Sequence, residues 1–200
     1  MSNTFIIAKE GYKPLGIVFA VWFVLKFILS FDLIGNLTFL LLIFMLYVFR
    51  NPEREIYAGD NDILSPMDGK IVAIDNKDGK NLVYVDVSIL DTHILRSPDN
   101  TEIEVESHKH GIHLNPNTKK GKLLNEQLVL NFQSLKLHLL SGVCKFDIII
   151  NNTGKVPRGK RFGFFLQGVA TMELDEKLKL QVKIGDKLSA GESVIAIKSN

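Results

Sequence analysis

Cysteine is almost absent from this chain, and neither sign of charge predominates. The single cysteine, Cys144, excludes a disulfide within the chain, and its place in an apolar run favours a reduced, buried thiol in a cytosolic compartment. The 24 basic and 22 acidic residues are scattered and leave a net charge of +2, which gives no reason to expect nucleic acid as a partner. The length of 200 residues suits one domain with a hydrophobic core and a small appendage.

Two apolar runs near the N-terminus predict a helical membrane hairpin. Residues 14–31 are apolar apart from Lys26 and Ser30, and residues 33–49 contain no charge. Each run is close to the lower limit of about 17 residues for a membrane-crossing helix, and only Asp32 separates them. A signal peptide fits less well, because there are two runs and no small-residue cleavage site follows the first. A buried helical pair in a soluble protein is the alternative.

The charges around this hairpin predict its orientation. Lys9 and Lys13 precede it, and Arg50 and Arg54 follow it, so the positive-inside rule places both ends in the cytoplasm. We therefore expect attachment to the cell membrane with the rest of the chain facing the cytoplasm. Lys26 disfavours deep insertion unless its side chain reaches an interface or the hairpin enters one leaflet only.

Short apolar runs separated by turn residues fill the remainder of the chain. Residues 1–49 are thus assigned to the hairpin and residues 50–200 to a mainly β domain, an antiparallel barrel or sandwich. The tail, residues 182–197, resembles half of a biotinyl- or lipoyl-type hairpin, but it lacks the modifiable lysine of a carrier domain. The predicted strands are 70–75, 81–90, 102–107, 127–132, 135–140, 145–150, 162–166 and 177–182.

The stretch from residue 161 to residue 170 is apolar and rich in glycine, which predicts a buried strand running into a tight turn at Gly168-Val169. Read with four other stretches, it resembles the short prokaryotic type of phosphatidylserine (or archaetidylserine) decarboxylase from about residue 30 to the C-terminus. The other four are Phe-Arg-Asn-Pro-Glu-Arg at 49–54, Ser-Pro-Met-Asp-Gly at 65–69, Asp-Thr-His-Ile-Leu-Arg-Ser-Pro at 91–98, and the Gly-Asp and Ala-Gly turns of the tail.

The resemblance implies an unusual cofactor. Proenzymes of this family cut themselves at a Gly-Ser bond, and the serine becomes an N-terminal pyruvoyl group that forms a Schiff base with the substrate amine. In this chain the matching pair is Gly168-Val169, and Val169 has neither a hydroxyl nor a thiol. We therefore expect that the pyruvoyl group is not formed. A processing site displaced to Thr171 is the alternative.

The resemblance also implies roles for individual residues. Two aspartates would drive self-cleavage and a histidine would serve decarboxylation, while three further residues would bind substrate. Asp68 and Asp91 could instead form turns, by bonding to nearby backbone or capping a turn. The segment 140–147 lacks the arginine pair of the family, which weakens the case for substrate binding. The implied residues are Asp68, Asp91 and His93 for catalysis, Gly168 and Val169 at the processing position, and Arg96, Asn125 and Glu126 for substrate binding.

Two clusters of polar residues lie outside the motifs on which this resemblance rests. His108, His110 and His113 have no carboxylate or cysteine nearby that completes a known metal-ligand spacing, so we predict a solvated loop and no metal site. The lysines at 119, 120 and 122 predict a solvated turn, with contact to anionic lipid head groups as the alternative.

The sequence thus predicts a membrane-anchored, decarboxylase-like protein that has lost catalysis and binds a phospholipid resembling phosphatidylserine. A homo-oligomer or a complex with an intact decarboxylase would be its protein partner. The alternative is a working decarboxylase that makes phosphatidylethanolamine through Thr171. A third interpretation, an unrelated β-rich module on a hairpin anchor, is consistent with the strand pattern alone.

Overall fold

A computed structural model describes residues 6–198. The chain divides into two compact units, one ending at Glu53 and one beginning at Arg54.

The N-terminal unit is helical. A short 3-10 turn, Lys9–Gly11, leads into α1, Tyr12–Phe23, which continues as a π-helical turn, Val24–Ile28; α2 is Asp32–Val48. The continuous segment Lys9–Ile28 has 20 residues and a mean hydropathy of 1.5, so it is long and apolar enough to cross a membrane. The apolar helix α2 is shorter, with 17 residues. By length and composition, one helix of this unit could therefore cross a membrane.

The two helices form the predicted hairpin. The chain reverses near Ser30, whose φ is 53°. The Nζ atom of Lys26 lies 2.5 Å from Oδ1 of Asp32, so the one basic charge within the apolar runs has an acidic partner. At the other end, the Ala8 N–H donates to the Phe49 carbonyl at 2.8 Å, which brings the two ends of the hairpin together.

The second unit consists of fourteen strands and one short helix among its described residues. All strand pairs are antiparallel, as predicted. The strands are β1 Asp62–Leu64, β2 Gly69–Lys77, β3 Lys80–Val87, β4 Ile94–Arg96, β5 Thr101–Lys109, β6 Gln127–Asn131, β7 Leu135–Ser141, β8 Ile149–Ile150, β9 Gly154–Val156, β10 Arg161–Phe164, β11 Gly168–Asp175, β12 Lys179–Leu180, β13 Lys187–Leu188 and β14 Val194–Ile197; the helix is α3, Lys119–Leu124.

These strands form three sheets in a sandwich-like arrangement. The largest has eight strands in the order β13-β2-β3-β11-β7-β6-β5-β9, and the two smaller sheets have the orders β1-β14-β12 and β4-β10-β8. Within residues 6–198 the large sheet does not close into a barrel. The prediction of a mainly β, antiparallel domain after an apolar helical segment is therefore confirmed.

One face of the large sheet is buried in the core. Burial alternates along β7 and β11, as expected for strands with one face in the core and the other outward. On β11 the side chains of Ala170, Met172 and Leu174 are inaccessible to solvent. Core residues of the smaller sheets, such as Phe162 and Ile195, belong to the same cluster. The alternate residues of β11, including Val169, therefore lie on the outward face.

Several local predictions differ from the structure. The chain after Gly168 continues as the eight-residue strand β11, because Gly168 begins a run of alternating inward and outward residues. The predicted strand 145–150 is reduced to β8, and 177–182 to β12. The lysine cluster begins a helix rather than a turn, since the Thr118 hydroxyl accepts a hydrogen bond from the Gly121 N–H at 3.0 Å and caps α3.

Candidate functional site

Asp68 is bound by groups from both ends of the β unit. Arg54 donates to both of its carboxylate oxygens, at 2.6 and 2.7 Å, and the Ala190 N–H donates to one of them at 2.8 Å. The Arg54 guanidinium also donates to the Ala190 carbonyl at 2.8 Å, and its Nε lies 3.6 Å from Glu192. Asp68 is thus not merely a turn residue bonded to its own backbone, because it joins distant segments of the chain.

The electrostatics of this cluster are those of a buried ion pair. The Arg54 and Asp68 side chains are 9% and 12% exposed. Burial alone lowers the pKa of the Arg54 guanidinium, but the hydrogen bond and charge of Asp68, together with the charge of Glu192, outweigh burial and raise the pKa. Bidentate geometry of this kind is the strongest form of an arginine-carboxylate contact.

His93 lies beside the strand that leads to Gly168. Its carbonyl accepts a hydrogen bond from the Phe165 N–H at 2.9 Å, and its buried ring lies 5.8 Å from the ring of Phe164. Its Nε2 atom is 3.1 Å from the carbonyl of Ile89. The Asp91 carboxylate accepts from the Ser88 N–H at 2.8 Å, which is the geometry of a turn cap. The catalytic roles of Asp68, Asp91 and His93 remain predictions.

The backbone bends sharply between β10 and β11. The Gln167 carbonyl accepts from the Gly142 N–H at 2.8 Å, and its side-chain oxygen accepts from the Val143 N–H at 3.0 Å. Gly168 has a φ of 149°, and a Cβ there would lie 2.1 Å from the Leu140 carbonyl oxygen. Only glycine fits this position without displacement of the backbone.

Val169 is the first outward-facing residue after this bend. In the sheet it stands between Asp86 of β3 and Leu140 of β7. Its partly buried side chain lines a groove of about 760 Å³ on the outward face of the large sheet. Thr171, the next outward residue of β11, lines the same groove. The processing position and the alternative site therefore face one cavity.

The groove is mainly apolar and contains a few ionisable groups. Its volume is in the range of small-molecule sites. Asp86 and Lys122 supply opposite charges, and neither has an ion-pair partner within 4 Å among residues 6–198. The Nε2 atom of His138 lies 3.4 Å from Glu173. The apolar and polar lining includes Val72, Tyr84, Val129, Leu140, Gln127 and Asn117.

The three residues implied to bind substrate are all buried. Arg96 donates to the Gly159 carbonyl at 3.0 Å. The Asn125 amide donates to the carbonyls of Leu114 and Ser141, at 2.7 Å each, and its oxygen accepts from the Leu114 N–H at 2.8 Å. Through these hydrogen bonds, Arg96 and Asn125 are bonded to backbone groups in the packed interior. Their role in substrate binding, like that of Glu126, remains a prediction.

The prediction of a solvated loop is wrong for His108, which lies in β5, and folding separates the three clustered histidines. His108 and His110 face the buried carboxylate of Glu126, at 2.7 and 3.7 Å, whereas His113 lies 3.9 Å from Asp147. Sequence reasoning missed Glu126 as a neighbour, because 16 residues separate it from His110 along the chain.

Comparisons with known proteins place this fold and site in a family. The sequence profile of phosphatidylserine decarboxylase matches residues 41–196. The phosphatidylserine decarboxylase proenzyme of Aromatoleum aromaticum is 30% identical over 98% of this chain and 99% of its own length. That of Nitrosomonas europaea is 31% identical over 96% of this chain and 94% of its own. No solved structure matches the chain.

These matches confirm the resemblance found in the sequence motifs. The antiparallel sandwich and the motifs that contain Asp68 and His93 lie within the matched residues, and the relatives are named as enzymes that act on a phospholipid. The chain belongs to the phosphatidylserine decarboxylase family. The family acts in phospholipid metabolism and uses a pyruvoyl group.

The Arg54–Asp68 pair generates a stability prediction. Arg54→Ala leaves the Asp68 carboxylate buried without its cation, so we expect the free energy of unfolding to fall by about 3 kcal/mol or more. The matched control is Glu192→Gln, which removes the exposed acidic neighbour of the same guanidinium and should cost less than about 1 kcal/mol. Denaturant unfolding of the full chain in detergent measures both. Equal, small effects would show that Arg54 does not hold this site together.

Proposed function

We propose that this chain is a membrane-associated member of its family that binds an aminophospholipid and does not cut itself to make a pyruvoyl group. The observation that carries the proposal is the residue after Gly168. Self-cleavage needs a hydroxyl or thiol beside the scissile carbonyl, and Val169 offers only methyl groups. No glycine anywhere in the 200 residues is followed by serine, threonine or cysteine.

The geometry around Gly168 supports its match to the glycine of the family's processing site. The position is closed to any side chain by the Leu140 carbonyl, and the strand leading to it is hydrogen bonded to His93. The residue at the processing position nevertheless does not fit the cofactor, because a pyruvoyl group derives from a serine.

The groove beside Val169 supports phospholipid binding. Asp86 lies across from Val169 in the sheet and is suited to a ligand ammonium, whereas Lys122 is suited to a phosphate or carboxylate. The apolar remainder of the lining can cover the glycerol and the first part of an acyl chain. A head group with an ammonium, a carboxylate and a phosphate, as in phosphatidylserine, matches this set of charges.

The helical unit supports attachment of this chain to a membrane. Segment Lys9–Ile28 is long enough to cross a bilayer, and basic residues flank the hairpin. We propose that the chain is attached to the cell membrane with its β unit in the cytoplasm. In that location an intact decarboxylase or a second copy of this chain would be its protein partner.

The second candidate is an active decarboxylase with a displaced processing site. Its support is the hydroxyl of Thr171, which lies in the groove two residues beyond Val169. Against it, Ala170 is paired with Val85 and Leu139 in a regular part of the strand, and its side chain is fully buried. Self-cleavage needs near-attack geometry, and Ala170 lacks the positive φ that distinguishes the backbone at Gly168.

Restoring the missing hydroxyl tests the proposal at the processing position. Val169→Ser should undergo cleavage after Gly168 and give fragments of about 19 and 4 kDa from the 22.5 kDa chain, in proportion to their lengths. Val169→Ala is the matched control, since it removes the same bulk without adding a nucleophile, and should stay whole. Denaturing gels after prolonged incubation measure both. An uncut Val169→Ser chain would show that the processing site lacks more than this hydroxyl.

Titration with short-chain lipids tests the groove. We expect the full chain in detergent to bind dihexanoyl phosphatidylserine more tightly than dihexanoyl phosphatidylcholine, and Asp86→Asn to weaken serine-lipid binding by about two- to fivefold, as for loss of one exposed ion pair. Asp75→Asn is the control, because Asp75 lies on β2, exposed and outside the groove lining. Calorimetry gives the affinities. Equal binding by both aspartate variants would place the lipid elsewhere.

A further inference from the structure

His108 and His110 lie on one side of the chain where β5 ends. Side chains two residues apart on an extended strand point the same way. The register of β5 with β6 sets His108 opposite Leu128 and Lys109 opposite Gln127. The next pair in this register is His110 and Glu126, so the fold brings a carboxylate to two histidines from which it is distant in sequence.

The three side chains converge on one small volume. The Nε2 atom of His108 lies 2.7 Å from Oε1 of Glu126, and the Nδ1 atom of His110 lies 3.7 Å from the same oxygen. The two imidazole rings have centroids 4.3 Å apart. One ligand atom from each of the three residues lies within 4.8 Å of the others.

The Glu126 side chain is buried and is fixed by a hydrogen bond from the backbone. Its side chain is 1% exposed, and its second oxygen accepts a hydrogen bond from the Ile148 N–H at 3.0 Å. Among residues 6–198, only the two histidines lie within ion-pair distance of this carboxylate. A buried carboxylate requires a compensating charge, and a hydrogen-bonded, preoriented carboxylate is characteristic of metal ligands.

We propose that His108, His110 and Glu126 bind a divalent transition metal ion, with Zn²⁺ as the preferred ion. Two imidazole nitrogens and one carboxylate oxygen form a ligand set typical of zinc. Tetrahedral zinc with bonds of about 2.0–2.2 Å separates its ligand atoms by about 3.3–3.5 Å, and the separations of 2.7 and 3.7 Å lie on either side of this value. Each of these two separations lies within about 1 Å of that value, a change that side-chain rotation can supply.

The proposed site keeps one coordination position open to solvent. The His110 side chain is 79% exposed, so a water molecule can complete the coordination sphere. The ion would join the end of β5 to the residue that precedes β6. This assignment gives Glu126 a role different from the substrate contact that the family resemblance implies, and it does not depend on lipid binding.

Metal titration of the full chain in detergent, purified without a histidine tag and stripped with a chelator, tests the site. We expect one equivalent of Zn²⁺ to bind, one equivalent of Co²⁺ to give the visible absorption of a tetrahedral site, and Zn²⁺ to raise the thermal midpoint. His110→Gln should weaken Zn²⁺ binding at least tenfold and remove the thermal shift; because His110 is exposed, this variant should fold normally.

His138→Gln is the matched control. His138 also lies beside a glutamate, Glu173, but has no second histidine there, so this variant should bind Zn²⁺ like the unaltered chain. His108→Gln should behave as His110→Gln does. Absence of saturable binding, or binding that survives both His108→Gln and His110→Gln, would overturn the proposal, as would an equal loss in His138→Gln.

Discussion

The absence of a side chain at Gly168 is the constraint on which the centre of this protein depends. Here the backbone comes so close to the Leu140 carbonyl that a Cβ would lie 2.1 Å from its oxygen. This close approach lets β11 enter the large sheet between β3 and β7 directly after the bend. The register of β11 then directs Ala170 and Met172 into the core and Val169 and Thr171 into the groove. A family that cuts its chain at a glycine would use the same backbone feature for chemistry.

Much of the β architecture could be predicted from the sequence, because the longer strands have local sequence patterns that identify them. β2, β5, β6 and β7 lie within a few residues of their predicted bounds, since alternating apolar residues and flanking turns are local features. Strands of two or three residues, such as β1, β4 and β8, have too few residues to show a period. They exist because distant segments pair with them.

β11 was missed for a different reason. Its alternation of Val169, Thr171 and Glu173 with Ala170, Met172 and Leu174 is visible in the sequence. The glycine before it predicts the start of a turn, and a turn at this position hides the alternation that follows. α3 was missed because a run of lysines with an internal glycine has no apolar period, whereas the Thr118 cap acts through one hydrogen bond.

The sequence motifs identify candidate site residues, but they do not predict which residues contact each other. Asp68 and His93 could be found by resemblance, yet the bidentate contact from Arg54 and the amide of Ala190, 122 residues away, could not be inferred from spacing. The same holds for Glu126 beside two histidines. Local sequence determines which chemical groups are available, and long-range pairing determines which of them meet.

The intact mass of the chain, isolated from membranes without added nucleophiles, decides whether the chain cuts itself. We predict one uncut species at the 22.5 kDa of the full sequence, because Val169 cannot attack the Gly168 carbonyl. Two fragments, the smaller with a carbonyl-blocked N-terminus, would contradict it. A cut before Thr171 would identify the displaced site as the one in use.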